Sequence, residues 1–208
     1  DDAVKSYEKA IATQPDYAEA HNNLGVTLKE LGQLDTAVEH YEKAIAIQPD
    51  YAEAHNNLGN VLNDLGQLDD AVKSYEKTLT LKPNYAEAHN NLGNAFKKLG
   101  QLDDAVKSYE KMLALKPDDA ETHNNLGIVY MQLDQTDVAL KWYEKALTIK
   151  PDYADAHANR GNAMKRLKRQ DEALASYKSA IALDPELVFI LGDIYVTKMR
   201  LCIWDDLA

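Results

Sequence analysis

Every proline in the chain lies 34 residues from the next: Pro15, Pro49, Pro83, Pro117, Pro151 and Pro185. His21, His55, His89, His123 and His157 keep the same step. So do Gly25, Gly59, Gly93, Gly127 and Gly161, and Tyr7, Tyr41, Tyr75, Tyr109, Tyr143 and Tyr177. Four residue types held to one period mark a supersecondary unit copied in tandem, each copy burying its apolar face against its neighbours. Full repeats run 18–51, 52–85, 86–119, 120–153 and 154–187, with residues 1–17 the second half of another. A solenoid over 1–187 followed by a divergent C-terminal helical cap or junction over 188–208 is the expected organisation.

Within one repeat, Ala52 to Leu65 reads as a helix and Asp69 to Leu81 as a second. Gly66-Gln67-Leu68 makes the turn, glycine being able to take a left-handed C-cap. Asp69 and its equivalents Asp1, Asp35, Asp103, Asp137 and Asp171 are expected to cap the second helix. Asn84-Tyr85-Ala86-Glu87 is read as a variant capping box opening the next first helix, and Pro83 ends the helix before it. Gly59 sits inside a helix at a cost of about 1 kcal/mol relative to alanine. That cost is reasonable if Gly59 and Ala71 allow close approach of the two helices.

Counting Ala18, Ala52, Ala86, Ala120 and Ala154 as position 1, Gly falls at position 8, Ala at 20, Tyr at 24 and Pro at 32. This pattern resembles the tetratricopeptide repeat (TPR) over nearly the whole chain. The resemblance implies an all-α fold, a superhelix of antiparallel helix pairs with a concave groove. In that family positions 2, 5, 6, 9, 12 and 13 line the groove. Position 6 is Asn23, Asn57, Asn91, Asn125 and Asn159; position 5 adds Asn22, Asn56, Asn90 and Asn124; position 9 adds Asn60, Asn94 and Asn162. A primary amide offers two donors and an acceptor, so a ladder of them is expected to bracket the backbone of an extended peptide while ignoring its side chains. The other reading is that these residues were duplicated with the repeat and only keep the groove polar.

Composition narrows the partners. A formal net charge of −11 with no basic cluster argues against nucleic acid, which needs concentrated positive charge. Cys202 is the single cysteine, so no internal disulfide forms and a reducing, cytoplasmic setting fits. No apolar run reaches the roughly 18 residues of a membrane span. The opening Asp-Asp-Ala hints at an excised fragment. The repeated histidines lie whole repeats apart and are read as packing or cap residues rather than metal ligands. Glu19, Glu53, Glu87 and Glu121 are read as capping-box residues, and Tyr-Glu-Lys, as in Tyr75-Glu76-Lys77, as a core tyrosine beside solvated charges. A thiol in an apolar stretch is expected to be inert. No phosphate-binding loop, dinucleotide fingerprint or zinc-protease motif occurs, so neither catalysis, cofactor nor metal is expected.

Ala-Glu-Ala-His-Asn-Asn-Leu-Gly-Asn at 52–60 and 86–94, followed by Leu-Gly-Gln-Leu-Asp-Asp-Ala-Val, resembles the TPR arm of protein O-GlcNAc transferases. The tail, Phe189 to Asp193 and then Thr197 to Asp206, is read as breaking the register. It resembles the junction to the catalytic half in bacterial SPINDLY-like relatives, with Ile203 where that junction has Asp. The resemblance implies that the position-6 asparagines hold an acceptor polypeptide. It makes the chain a substrate-recognition arm without the transferase half. A free-standing TPR scaffold is the alternative. A clamp for C-terminal carboxylates would need Lys at position 5, where Asn22, Asn56, Asn90, Asn124 and Ala158 stand. Leu187, Val188, Phe189, Ile190, Leu191, Ile194, Tyr195, Met199, Leu201, Ile203 and Trp204 make the tail apolar for a free end. The expectations are a missing neighbour, self-association, or an amphipathic cap that folds back.

Overall fold

The structure, a computed structural model, describes residues 2–202 apart from the side chain of Phe189. Among them are α1 (Asp2–Thr13), α2 (Ala18–Glu30), α3 (Leu34–Ile47), α4 (Ala52–Asp64), α5 (Leu68–Leu81), α6 (Ala86–Lys98) and α7 (Leu102–Leu115). Then follow α8 (Ala120–Gln132), α9 (Thr136–Ile149), α10 (Ala154–Arg166), α11 (Gln170–Leu183), a 3₁₀ turn (Val188–Ile190) and α12 (Leu191–Arg200). The described residues contain no strand, and the all-α helical-repeat class is as expected. The chain divides into two compact units between Lys111 and Met112, inside α7. In the first, α2 packs on α3 and α4 on α5, with α1 against α2, α3 against α4 and α5 against α6. In the second, α8 packs on α9, α10 on α11, and α9 and α12 cover α10 and α11 respectively.

One contact recurs where the first and second helices of each repeat pack together. Tyr41, Tyr75, Tyr109, Tyr143 and Tyr177 are each 0–1% exposed, and each ring lies flat where position 8 lacks a side chain. A Cβ added to Gly59 would sit 2.6 Å from Cε1 of Tyr75, and one on Gly25 or Gly93 2.7 Å from the matching tyrosine. Gly127 against Tyr143 and Gly161 against Tyr177 repeat the contact. The helical cost of glycine therefore makes room for an aromatic ring, with Ala71 fully buried beside it.

The histidines tie each first helix to the loop before it. His55 Nε2 meets the Pro49 carbonyl at 3.0 Å, and His89, His123 and His157 meet Pro83, Pro117 and Pro151 at 2.8–2.9 Å. A carbonyl only accepts, so each Nε2 carries the proton and donates. Lys82, before Pro83, ends α5 in an extended conformation with φ −132°. The turn inside each repeat uses a left-handed residue at position 15: Gly32, Gly66 and Gly100 have φ of 74–77°. Asp134 and Lys168 adopt the same conformation at φ 60° and 63° without being glycine.

Helix starts differ from the sequence reading. The second helices begin after Gln33, Gln67, Gln135 and Arg169, with no side-chain cap. Asp35, Asp69, Asp137 and Asp171 stand inside the first turn, where a carboxylate favours the positive end of the helix. Asp103 is likewise in the first turn of α7, and Asp1 lies outside the described residues. Tyr17, Tyr51, Tyr85 and Tyr153 precede the first helices without capping them, since a phenol cannot reach back to its own amides. Asn84 comes one residue too early to cap. At α8 a side chain does cap: Asp119 Oδ1 accepts from Thr122 N at 2.8 Å. Glu53 is instead paired with Lys82, and Glu87 accepts from Asn56 Nδ2 at 3.4 Å.

The tail keeps the backbone register. Residues 188–200 lie 34 on from α10, Ile190 is fully buried, and Asp193 pairs with Lys165 at 2.5 Å. Cys202, exposed, takes the left-handed position at φ 57°. The break is in side chains: Tyr195, 47% exposed, stands where other repeats have glycine. Val188, Leu191 and Met199 share its exposed face. Ile203, Trp204, Asp205 and Asp206 lie outside the described residues. No described helix is long and apolar enough to cross a membrane.

Gly59→Ala should lower stability by about 1–2 kcal/mol, because overpacking against a buried ring outweighs the gain in helix propensity. Thermal and urea denaturation check this, with Gly192→Ala as the control, since no atom lies within 4 Å of a Cβ there.

Candidate functional site

The first helices carry the asparagines because position 6 lies one turn from positions 2 and 9, opposite the ring-bearing glycine at position 8. The amides are not equivalent. Asn22, Asn56 and Asn124, at position 5, are 6%, 1% and 4% exposed and face the adjacent repeat. Asn23, Asn57, Asn91 and Asn159 are half-buried, as are Asn90, Asn60, Asn94 and Asn162, while Asn125 is buried.

Within each unit these amides bond from repeat to repeat. Asn57 Nδ2 donates to Asn22 Oδ1 at 3.0 Å in the first unit, and Asn159 Nδ2 to Asn124 Oδ1 at 3.0 Å in the second. Asn91 departs from that rule and donates to Asn60 Oδ1 at 2.9 Å. Position 9 explains the difference. The repeats before Asn57 and Asn159 have Val26 and Ile128 there, which accept nothing, whereas the repeat before Asn91 has Asn60. Asn56 Oδ1, the alternative acceptor for Asn91, is left buried with no partner.

Position 9 is held from behind. Tyr75 donates its hydroxyl to Asn60 Oδ1 at 2.8 Å, Tyr109 to Asn94 Oδ1 at 2.7 Å, and Tyr177 to Asn162 Oδ1 at 2.8 Å. Burial pushes the Tyr75 and Tyr177 phenols well above their ordinary value, so they remain hydroxyl donors. This pairing escaped the sequence reading, although its signal is present: Asn at position 9 lies 15 residues before Tyr at position 24.

In the first unit two recesses open along this surface. One, about 290 Å³, is bordered by Val26, Lys29, Glu30, Tyr41, Asn57 and Asn60. The other, about 270 Å³ and mostly polar, is bordered by Asn60, Asn63, Asp64, Glu87, Asn91 and Asn94 together with Lys29 and Tyr75. Lys29 is joined to Asp64 at 3.2 Å, and Lys98 donates to Asn63 at 3.0 Å. The repeated histidines lie one to a repeat, and among the described residues no three His, Cys, Asp or Glu side chains converge as a metal site would require.

One histidine pair is unique to the first full repeat. Position 23 is Ser74, Ser108 and Ser176 elsewhere, but His40 here, and Trp142 in the fourth. His21 Nε2 faces the Pro15 carbonyl at 3.2 Å, and its Nδ1 lies 3.0 Å from His40 Nδ1. Because Nε2 must donate to the carbonyl, neutral His21 accepts at Nδ1 and His40 donates.

Family models described as TPR repeat match residues 27–66, 59–100 and 93–134, and models described as tetratricopeptide repeat match 118–186 and 6–39. The chain belongs to the tetratricopeptide repeat family. No curated protein matches it in sequence. Among solved structures, the crystal structure of MamA is 28% identical with a TM-score of 0.74, over 79% of this chain and 96% of that one. YrrB, described as a TPR protein with an unusual peptide-binding site, is 24% identical with a TM-score of 0.77, over 91% and 98%. A MamA fragment from Desulfovibrio magneticus RS-1 is 22% identical with a TM-score of 0.77, over 81% and 96%. The last two show the fold alone.

His40 yields a pH dependence in this TPR protein. Its imidazole is held below the free value of 6.5 by burial first, then by Lys43 and His21, while Glu39 and Glu8 pull the other way. A depressed folded-state pKa means that the unfolded chain binds the proton better. The contribution is complete above the free value, begins to fail as pH drops below it, and is gone once pH has fallen through the lower folded-state value. Between about pH 7 and pH 5, the melting temperature of His40→Ser should fall less than that of the wild type. Parallel melting curves of the two would contradict the assignment.

Proposed function

We propose that this chain is a protein-interaction module holding an extended polypeptide against the asparagine-bearing first helices. The observation that supports this most is that the half-buried position-6 and position-9 amides Asn57, Asn60, Asn91 and Asn94 border two open recesses in the first unit. Such groups suit a peptide backbone, whose donors and acceptors recur whatever the side chains. Packed helices 8–10 Å apart and an extended rise near 3.3 Å place one rung at roughly every third peptide residue. Asn22 and Asn124, at position 5, contribute from behind as acceptors that hold Asn57 and Asn159. The net charge of −11 weighs against nucleic acid as the partner.

In its finer form the module is the substrate-recognition arm of an O-GlcNAc-transferase-like protein, as the repeat text and the tail resemblance imply. The free-standing scaffold fits equally: the match covers 96% of the MamA chain, which is 28% identical. Co-purification separates them. A recognition arm enriches polypeptides that a glycosyltransferase modifies, while a scaffold retains a fixed set of assembly partners.

Replacing Asn57, Asn91 and Asn125 together by Ala should weaken binding of a selected linear peptide by at least about tenfold, each lost hydrogen bond being worth about 1 kcal/mol. Titration calorimetry measures it, with a melting curve confirming that the variant is folded. Unchanged affinity in a folded variant would sink the groove reading. Self-association is proposed separately, through the exposed face of Val188, Leu191, Tyr195 and Met199. Light scattering that shows a strict monomer at high concentration would remove that proposal.

A further inference from the structure

The amides at position 9 are polarised. The oxygen of an amide has two lone pairs and its nitrogen two hydrogens. Asn60 Oδ1 already accepts from Tyr75 at 2.8 Å and from Asn91 at 2.9 Å, so it has no capacity left. Asn94 Oδ1 accepts from Tyr109 at 2.7 Å. The tyrosines cannot turn aside, because their rings are pinned on Gly59 and Gly93. What Asn60 offers the recess is therefore Nδ2, a donor, and at Asn94 the same tyrosine bond occupies one of the oxygen's two lone pairs and biases the amide the same way.

We propose that Asn60 and Asn94 recognise carbonyl oxygens of the bound polypeptide, and that Tyr75 and Tyr109 are positioning residues that fix this polarity. This rests on the groove reading above and assigns which backbone group is read, and by which residues. The alternative source of acceptor oxygens, a carboxylate, fits poorly. Asp64 and Glu87 border the same recess, and Lys29, the cation there, is already joined to Asp64 at 3.2 Å. A neutral carbonyl meets the donors without that repulsion. The first full repeat supplies the natural counter-case. Tyr41 is as buried as Tyr75, yet position 9 is Val26, so no rung is aimed there.

The test uses the whole chain and one probe, the tightest linear decapeptide selected from a randomised display library, acetylated and amidated at its ends. Asn60→Asp and Asn94→Asp keep an oxygen for the tyrosine and remove the outward donor. Each should weaken binding by about fivefold, the worth of one hydrogen bond, and neutral Asn60→Ala should do the same. Val26→Asn should add a rung and tighten binding several-fold. That gain should vanish in the double variant Val26→Asn, Tyr41→Phe, a result that mere loss of packing could not produce. Melting curves verify folding throughout. If Asn60→Asp and Asn94→Asp bind like wild type while the position-6 triple alanine variant does not, this inference is wrong and the groove reading survives. If no peptide is enriched, or all these variants bind alike, both fall.

Discussion

Each repeat is closed by a tyrosine ring resting on a glycine. A Cβ added at Gly25, Gly59 or Gly93 would come within 2.6–2.7 Å of the ring, closer than any side chain permits. The ring can be buried to 0–1% exposure only because its partner helix has a flat spot there. Glycine in the middle of a helix is unfavourable by about 1 kcal/mol, and burying an aromatic ring more than compensates. The same contact fixes where the phenol hydroxyl emerges, and hence which amide it can reach. Packing and the polar surface are thus two consequences of one placement.

Neighbouring repeats share apolar clusters, Val61 packing with Leu24, Leu28 and Tyr41 and Ala95 with Leu62 and Tyr75, and polar bonds add to them. Position-6 amides donate to the repeat before them, and Lys29–Asp64, Lys82–Glu53 and Arg166–Asp134 span adjacent repeats at their edges. These ion pairs are largely exposed and add little, 0–1 kcal/mol each at most. The amide bonds are half-buried and directional, so they carry more of the registration between repeats. This is why the same asparagines serve both readings set out from the sequence. Part of each amide is spent on the solenoid, and the remainder is presented outward.

The architecture was legible because a 34-residue period needs no three-dimensional knowledge to detect. Helix limits came within about one residue for Ala52–Asp64 and Leu68–Leu81. Asp69 and Asn84 carry favoured capping side chains but sit two residues after and one residue before the N-cap positions Gln67 and Tyr85. The left-handed turn at Asp134 and Lys168 was hidden by the loss of glycine. The tail looked irregular because its side chains change, while over residues 191–200 the chain is still a helix in step with the repeat. At the candidate site, sequence could name Asn60 and Asn94 but not the direction in which they point. That direction depends on a hydroxyl 15 residues away.

The coupling between ring burial and amide orientation is tested most directly by replacing each buried tyrosine with phenylalanine and measuring five unfolding free energies. Tyr75, Tyr109 and Tyr177 donate to position-9 asparagines, so their variants should each lose about 1 kcal/mol, the net worth of a hydrogen bond. Tyr41 and Tyr143 face Val26 and Ile128 at position 9, and their variants should change little. Equal losses at all five positions would contradict the account, because the hydroxyl would then matter everywhere or nowhere, irrespective of the amide it is said to aim.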